Sequence, residues 1–157
     1  MSAYVRFASR QELYDINVIR KEIYDIHRIN VSSKINILFN SEVEDYLYEF
    51  YDRADSFVCV AADGDDIYGY SMVSFELIKD DGYNKERLYA KIEEFGIKEE
   101  YRRTGIGNQL FEFIKEYSRE IGVYKIEVEV WDSNDAAISF YEKNGLKTYR
   151  RLMEMDL

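Results

Sequence analysis

The chain has 157 residues, 46% of them apolar and 33% charged, with a formal net charge of −10. That is enough to bury the core of one domain, too apolar for a disordered chain, and too acidic for general binding to nucleic-acid phosphates, so cationic partners are favoured. One cysteine, Cys59, excludes an internal disulfide, and one histidine, His27, leaves no zinc-like cluster, so no metal is expected.

No apolar run approaches the ~20 residues of a membrane span. The start, MSAYVRFASRQEL, lacks the basic, apolar and small-residue order of an export signal, so a cytoplasmic protein without a membrane partner is expected. In chain order, YVRFA reads as a short strand, and Ser9 and Glu12 stand at capping-box spacing before a helix with Ile16, Ile19, Ile23 and Ile26 on one face. Ser41 and Glu44 repeat that spacing before a second helix. The linker between the helices, NVSSKINILFN, is apolar enough to wall a pocket. SFVCVAA and IYGYSMVSFEL flank the turn DGDD and read as an antiparallel hairpin. A strand from Leu88 follows, then a helix with Ile106, Leu110, Phe113, Ile114, Tyr117 and Ile121 at steps of three and four. The strand YKIEVEVW, a short helix DAAISFYEKNG and the stretch LKTYRRLMEMDL close the chain. No repeat or linker divides it, so residues 1–157 are expected to form a single domain of alternating strands and helices, an α/β (α+β) fold.

The strand from Leu88 changes phase. Leu88, Ala90 and Ile92 share one face, whereas Phe95 and Ile97 fall in the opposite phase. One extra residue at Glu93 or Glu94, a β-bulge, accounts for the shift and frees backbone groups for a ligand that carries its own amides. Beyond it, Gly105 and Gly107 open a helix. Their close backbone approach, the helix dipole, and Arg102 and Arg103 make an anion site. Leu110 stands where a dinucleotide fingerprint needs its third glycine, and no Gly-Lys-Ser/Thr follows for a nucleotide P-loop.

RRTGIG resembles the Gln/Arg-x-x-Gly-x-Gly/Ala signature of the GNAT superfamily of acyl-CoA-dependent N-acyltransferases, and WDSNDAAISFYEKNGL resembles that family's second hallmark. IEEFGIKEEYRRTGIG is similar to the corresponding stretch of spermidine/spermine acetyltransferases. The resemblance implies a mixed central β-sheet, splayed between its fourth and fifth strands and flanked by helices. It implies acetyl-CoA as acyl donor. Backbone groups of Phe95 and Ile97, with Gly96 between them, would meet the pantetheine amides, and Arg103, Thr104, Gly105, Ile106, Gly107 and Asn108, beside Arg102, would cradle the pyrophosphate. Asn134 and Ala137 would contact the cofactor, and the Tyr141 hydroxyl would point at the thioester sulfur. Where the chain departs from common family forms, Gly96 is expected to loosen the pocket wall and Thr104 to weaken cofactor affinity slightly, while Leu146 replaces the usual phenylalanine.

The chemistry agrees with these residue types. An alkylamine has a pKa of ~10.4, so a base must take its proton before it attacks a thioester. Glu93 and Glu94 are placed for this, directly or through water, and Glu93 matches the family position more closely. Tyr141, ordinarily ionising near ~10, is suited to donate to the departing thiolate. Cys59 lies in an apolar run and reads as buried and inert. His27 reads either as an acceptor contact or as a structural cation at a helix C-terminus, and Trp131 as core or pocket wall. Three functions compete: an N-acetyltransferase for a small, cationic primary amine, which is favoured; a protein or peptide N-acetyltransferase; and a non-catalytic acyl-CoA-binding sensor module. Assembly stays open between monomer and homodimer.

Overall fold

A computed structural model describes residues 3–31, 34 and 38–157. Five strands form one sheet in the order β1 (Tyr4–Phe7), β2 (Ser56–Asp63), β3 (Asp66–Ile78), β4 (Arg87–Ile97), β5 (Ile126–Val128). The first four pair antiparallel; β5 returns parallel to β4 after the helix α3 (Ile106–Glu120), as a parallel neighbour must after a crossover. Helices α1 (Leu13–Asn30) and α2 (Ser41–Tyr51) cover one face, and α3 with α4 (Asp135–Lys143) covers the other. No helix among the described residues is long and apolar enough to cross a membrane.

The period of two in a strand sorts the core. Phe57, Cys59 and Ala61 of β2 join the cluster under α3, whereas Val58, Val60 and Ala62 join the cluster under α1 and α2. The DGDD hairpin forms as the sequence predicts, with Asp63 opposite Asp66. From α1, Leu13, Ile16 and Ile19 are fully buried and Ile23 packs partly, but Ile26 is exposed. The predicted stripe therefore ends one turn early, and the last turns of the helix present Tyr24 and His27 to a cavity instead.

Two helix starts refine the capping expectations. At Ser9 the amide and the hydroxyl both donate to Glu12 Oε2, at 2.7 and 3.0 Å, so the glutamate caps as predicted, although a 3-10 turn over Arg10–Glu12 precedes α1. At α2 the cap sits one residue before the predicted Ser41: Asn40 Oδ1 accepts from Val43 N at 3.1 Å, leaving Ser41 as the first helical residue. β5 is shorter than the eight-residue strand predicted. It pairs only over Ile126–Val128, and past Ile92 β4 continues with β3 as its one partner among the described strands. Residues 146–157 form no regular element.

Gly96 plays the reverse of its expected part. A Cβ there would run into Ile23 Cδ1 and lie 2.6 Å from Tyr70 Cε1, so the missing side chain lets α1 press onto the sheet and tightens the wall. The Tyr70 ring is the costly neighbour, because it is fully buried and cannot swing aside.

The Arg6 guanidinium donates to both Glu12 oxygens, at 2.9 and 2.7 Å, and with the Ser9 bonds holds that carboxyl down at about 2. A carboxylate held below its unfolded value, ~4.3, stabilises the fold above that pH and loses the contribution as pH falls through the folded value. Glu12→Gln should therefore lower Tm by ~2–4 °C at neutral pH. In melts followed by circular dichroism, the wild-type and variant curves should converge as the pH drops from about 4.5 to about 2.

Candidate active site

The site begins at the bulge. Met72 of β3 faces Glu94 and Val73 faces Ile92, so Glu93 is the extra residue. Before it, Ala90 and Ile92 point into the core under α3; after it, Phe95 and Ile97 do. Glu94 and Gly96 are thereby turned towards α1, and Glu93 and Glu94 come to line one cavity. The phase shift is as the sequence analysis expected, and it brings both carboxylates to one cavity.

Their environments differ. Glu94 is gripped by Arg20: Nε donates to Oε2 and Nη2 to Oε1, both at 2.8 Å, and Tyr70 Oη adds a bond to Oε2 at 2.9 Å. The Arg20 side chain is 3% exposed, and its Nη1 donates to Asn17 Oδ1 and the Val43 carbonyl, both at 2.7 Å. Burial alone disfavours the Arg20 cation, but the bonds and charge of Glu94 outweigh it, and its pKa lies above the ordinary value. Glu93 has weaker partners. Lys91 Nζ lies 3.3 Å from Oε2, and Ser74 Oγ is 2.9 Å from Oε1. Ser74 also lies 3.1 Å from Glu76 Oε1, and one hydroxyl proton serves only one carboxylate at a time.

The cavity, of about 250 Å³, opens where β4 and β5 part, between Glu93 to Phe95 on one side and Val128 to Trp131 on the other. Tyr24, His27 and Phe39 close it from α1 and the linker. Phe39 fulfils the expectation that this linker walls a pocket; Ser32, Ser33, Ile35, Asn36 and Ile37 of the same linker lie outside the described residues. Desolvation lowers the His27 pKa and Glu94 opposes the shift, so at neutral pH the imidazole is uncharged. Trp131 is pocket wall, 43% exposed.

Tyr141, Asn134 and Ala137 reach the same cavity from α4. Tyr141 is buried among Phe95, Phe111 and Phe140, its hydroxyl has no hydrogen-bond partner among the described residues, and burial pushes its pKa well above that of a free phenol. It stays protonated. Asn134 also has a local duty: its Oδ1 accepts from Ala137 N at 3.1 Å and caps α4, which leaves its amide nitrogen for other work. Cys59 is fully buried with its thiol pushed up to about 12, so it is structural.

The donor end follows along β4. Lys98 N donates to Tyr68 O on β3, so by alternation Phe95 and Ile97 turn their backbone groups to the side that β5 has left. Arg102 Nε folds back onto the Ile97 carbonyl at 3.1 Å. Arg103 is the one described non-glycine residue with positive φ, 62°, and Gly105 follows at 95°. That loop delivers the chain to the start of α3 with no side-chain cap and no acidic residue in the first turn. The amides of Ile106, Gly107 and Asn108 thus form an uncapped N-terminus beside two exposed arginines, which suits an anion such as a pyrophosphate. Thr104 Oγ1 braces the loop on the Tyr101 carbonyl at 2.6 Å. A Cβ at Gly107 would lie 3.3 Å from the Phe140 ring, so this glycine keeps the helix start close to α4.

Arg20, Tyr70 and Ser74 were not singled out from the sequence. For Arg20 a signal was there: Leu13, Ile16, Arg20, Ile23 and His27 recur at steps of three and four, so the arginine and the histidine interrupt an apolar helical stripe.

Comparison with known proteins agrees with this geometry. A sequence model described as Acetyltransferase (GNAT) family matches residues 20–146. A glucosamine 6-phosphate N-acetyltransferase of Trypanosoma brucei brucei is 35% identical over 71 residues, 45% of this chain and 46% of its own length, so the chain spans less than half of that relative. N-alpha-acetyltransferase 30 of Schizosaccharomyces pombe is 31% identical over 108 residues, 68% of this chain and 69% of its own. A tetramutant of the BH1408 protein from Bacillus halodurans shares the fold with a TM-score of 0.92 at 23% identity, over 98% of this chain and 99% of that one. The chain belongs to the acetyltransferase (GNAT) family.

Proposed function

We propose that residues 1–157 form one N-acetyltransferase domain that moves the acetyl group of acetyl-CoA to a primary amine on a small molecule, by direct attack in a ternary complex. The observation that carries this reading is the bulge at Glu93. It gathers two carboxylates on a cavity that Tyr141, a tyrosine held protonated by burial, also lines, on a strand that leads on to an uncapped, arginine-flanked helix start.

The residues divide the proton work. Glu94 is fixed by Arg20 and shapes the site, while Glu93, held only by Lys91 and a shared hydroxyl, accepts the amine's proton directly or through water. The neutral nitrogen forms its bond to the acetyl carbon as the carbon–sulfur bond breaks, and Tyr141 protonates the departing thiolate. Overall the ammonium loses two protons. One leaves to solvent by way of Glu93, and the other replaces the proton that Tyr141 gives up. The name of the Schizosaccharomyces pombe relative favours a second reading, acetylation of a protein or peptide N-terminus. Activity on peptides against small amines separates the two.

Three outcomes test this. Acetyl-CoA at about a hundred times its Kd should raise Tm by ~5–11 °C, the equivalent of ~2.7 kcal/mol. Gly107→Glu should abolish that shift in differential scanning fluorimetry, because it sets a side chain and a negative charge where phosphate belongs. Tyr141→Phe should lower kcat by ~100 to 10,000-fold in a thiol-release assay while the acetyl-CoA shift persists. The glutamates should part company. Glu93→Gln should depress turnover most at lower pH with little change in Tm, whereas Glu94→Gln should cost several degrees of Tm because it leaves a buried guanidinium without its counter-charge.

A further inference from the structure

We infer that the acceptor is a monoamine with a compact, aromatic-sized apolar body and not a polycation; this rests on the reading of the chain as a small-molecule N-acetyltransferase. Charge sets the first limit. Among the described residues three carboxylates line the cavity, Glu93, Glu94 and Glu129, and so does Arg20. Glu94 is fully engaged by the buried guanidinium. Lys91 Nζ stands 3.3 Å from Glu93 and 3.9 Å from Glu129, whose side chain is 91% exposed and therefore screened by water. Arg20 in the wall pairs with Glu94, and Lys91, behind the wall, is shared between Glu93 and Glu129, so these five groups carry one net negative charge and can match one ammonium. The linker adds none: of its residues only Lys34 is charged, and that side chain pairs with Glu154.

Beyond these charges the wall is aromatic and aliphatic, with His27 and Asn134 as its uncharged polar members. The rings of Tyr24 and Phe39 meet edge to face, 5.6 Å between centroids, and Trp131, three residues past β5, lines the same cavity. A second or third ammonium placed against these rings would lose water and find no unpaired counter-charge. Size points the same way, because about 250 Å³ lies below the ~300–1,000 Å³ of pockets that enclose drug-sized ligands. One ring fills that volume, and a multi-ring aminoglycoside would have to extend beyond it through the open side of the cavity.

The test measures kcat/KM of the full chain with saturating acetyl-CoA, by thiol release, for 2-phenylethylamine, ethylamine, spermidine, a three-ring aminoglycoside and a short peptide with a free N-terminus. We expect 2-phenylethylamine to exceed each of the others at least tenfold. Trp131→Ala should shrink the ratio between 2-phenylethylamine and ethylamine about tenfold, and Trp131→Phe should restore most of it. Preference for spermidine or the aminoglycoside, or a ratio that Trp131→Ala leaves unmoved, overturns this proposal alone. Preference for the peptide, or turnover of no amine at all, overturns it together with the reading it rests on, and the acetyl-CoA stability shift then tells whether cofactor binding survives.

Discussion

A buried guanidinium is an expensive thing to fold around, and the face of the sheet under α1 and α2 is arranged to satisfy one. Taking Arg20 out of water costs several kcal/mol, which the protein offsets with two charge-assisted bonds to Glu94 and two more acceptors, on Asn17 and Val43. Those partners belong to α1, to the first turn of α2 and to β4. Tyr70 brings in β3 through Glu94, and the Phe39 ring lies 5.6 Å from the Arg20 guanidinium carbon. Such a pair contributes little net stability compared with a well-packed apolar substitute, but it has a single satisfied geometry. It fixes where four elements and the linker stand around the cavity.

The pair depends in turn on the bulge. In an unbroken strand Glu94 would follow Ala90 and Ile92 into the core under α3, where no cation waits. The extra residue at Glu93 turns Glu94 towards Arg20 and turns Phe95 and Ile97 into that core. The same stretch is where β5 diverges from β4, so this part of the strand carries the carboxylates, borders the cavity and leaves one edge of its backbone unpaired by β5. Gly96 completes the arrangement by letting Ile23 and Tyr70 close on the strand.

These facts mark what was legible in the sequence. Local and periodic signals survived: the apolar phase of β4 before and after the bulge, the Gly105 and Gly107 turn, the hairpin around Gly64, and the Ser9–Glu12 cap all reflect chemistry within a few residues. The GNAT resemblance added the cofactor end and Tyr141. What escaped was pairing across long separations. Arg20 and Glu94 are 74 positions apart, and nothing within either segment says that they meet. The reading of Gly96 as a looser wall failed for the same reason, because a missing side chain looks like empty space until the helix that fills it is in place. Ile26 was misassigned because periodicity continues past the point where the sheet beneath it ends.

Burial also divides the site's titratable groups by role. Tyr141 and Cys59 are both pushed towards their protonated forms by desolvation, but the tyrosine hydroxyl faces the cavity and has a proton to give, whereas the thiol is sealed in the core with nothing to react with. His27, held uncharged by the same effect, adds no positive charge to repel an incoming ammonium. Of the two bulge carboxylates, Glu94 has both oxygens engaged by Arg20 and one of them also by Tyr70. Glu93, with Lys91 at 3.3 Å and a hydroxyl shared with Glu76, keeps lone pairs open to the cavity, which is the geometry the proposed proton transfer needs.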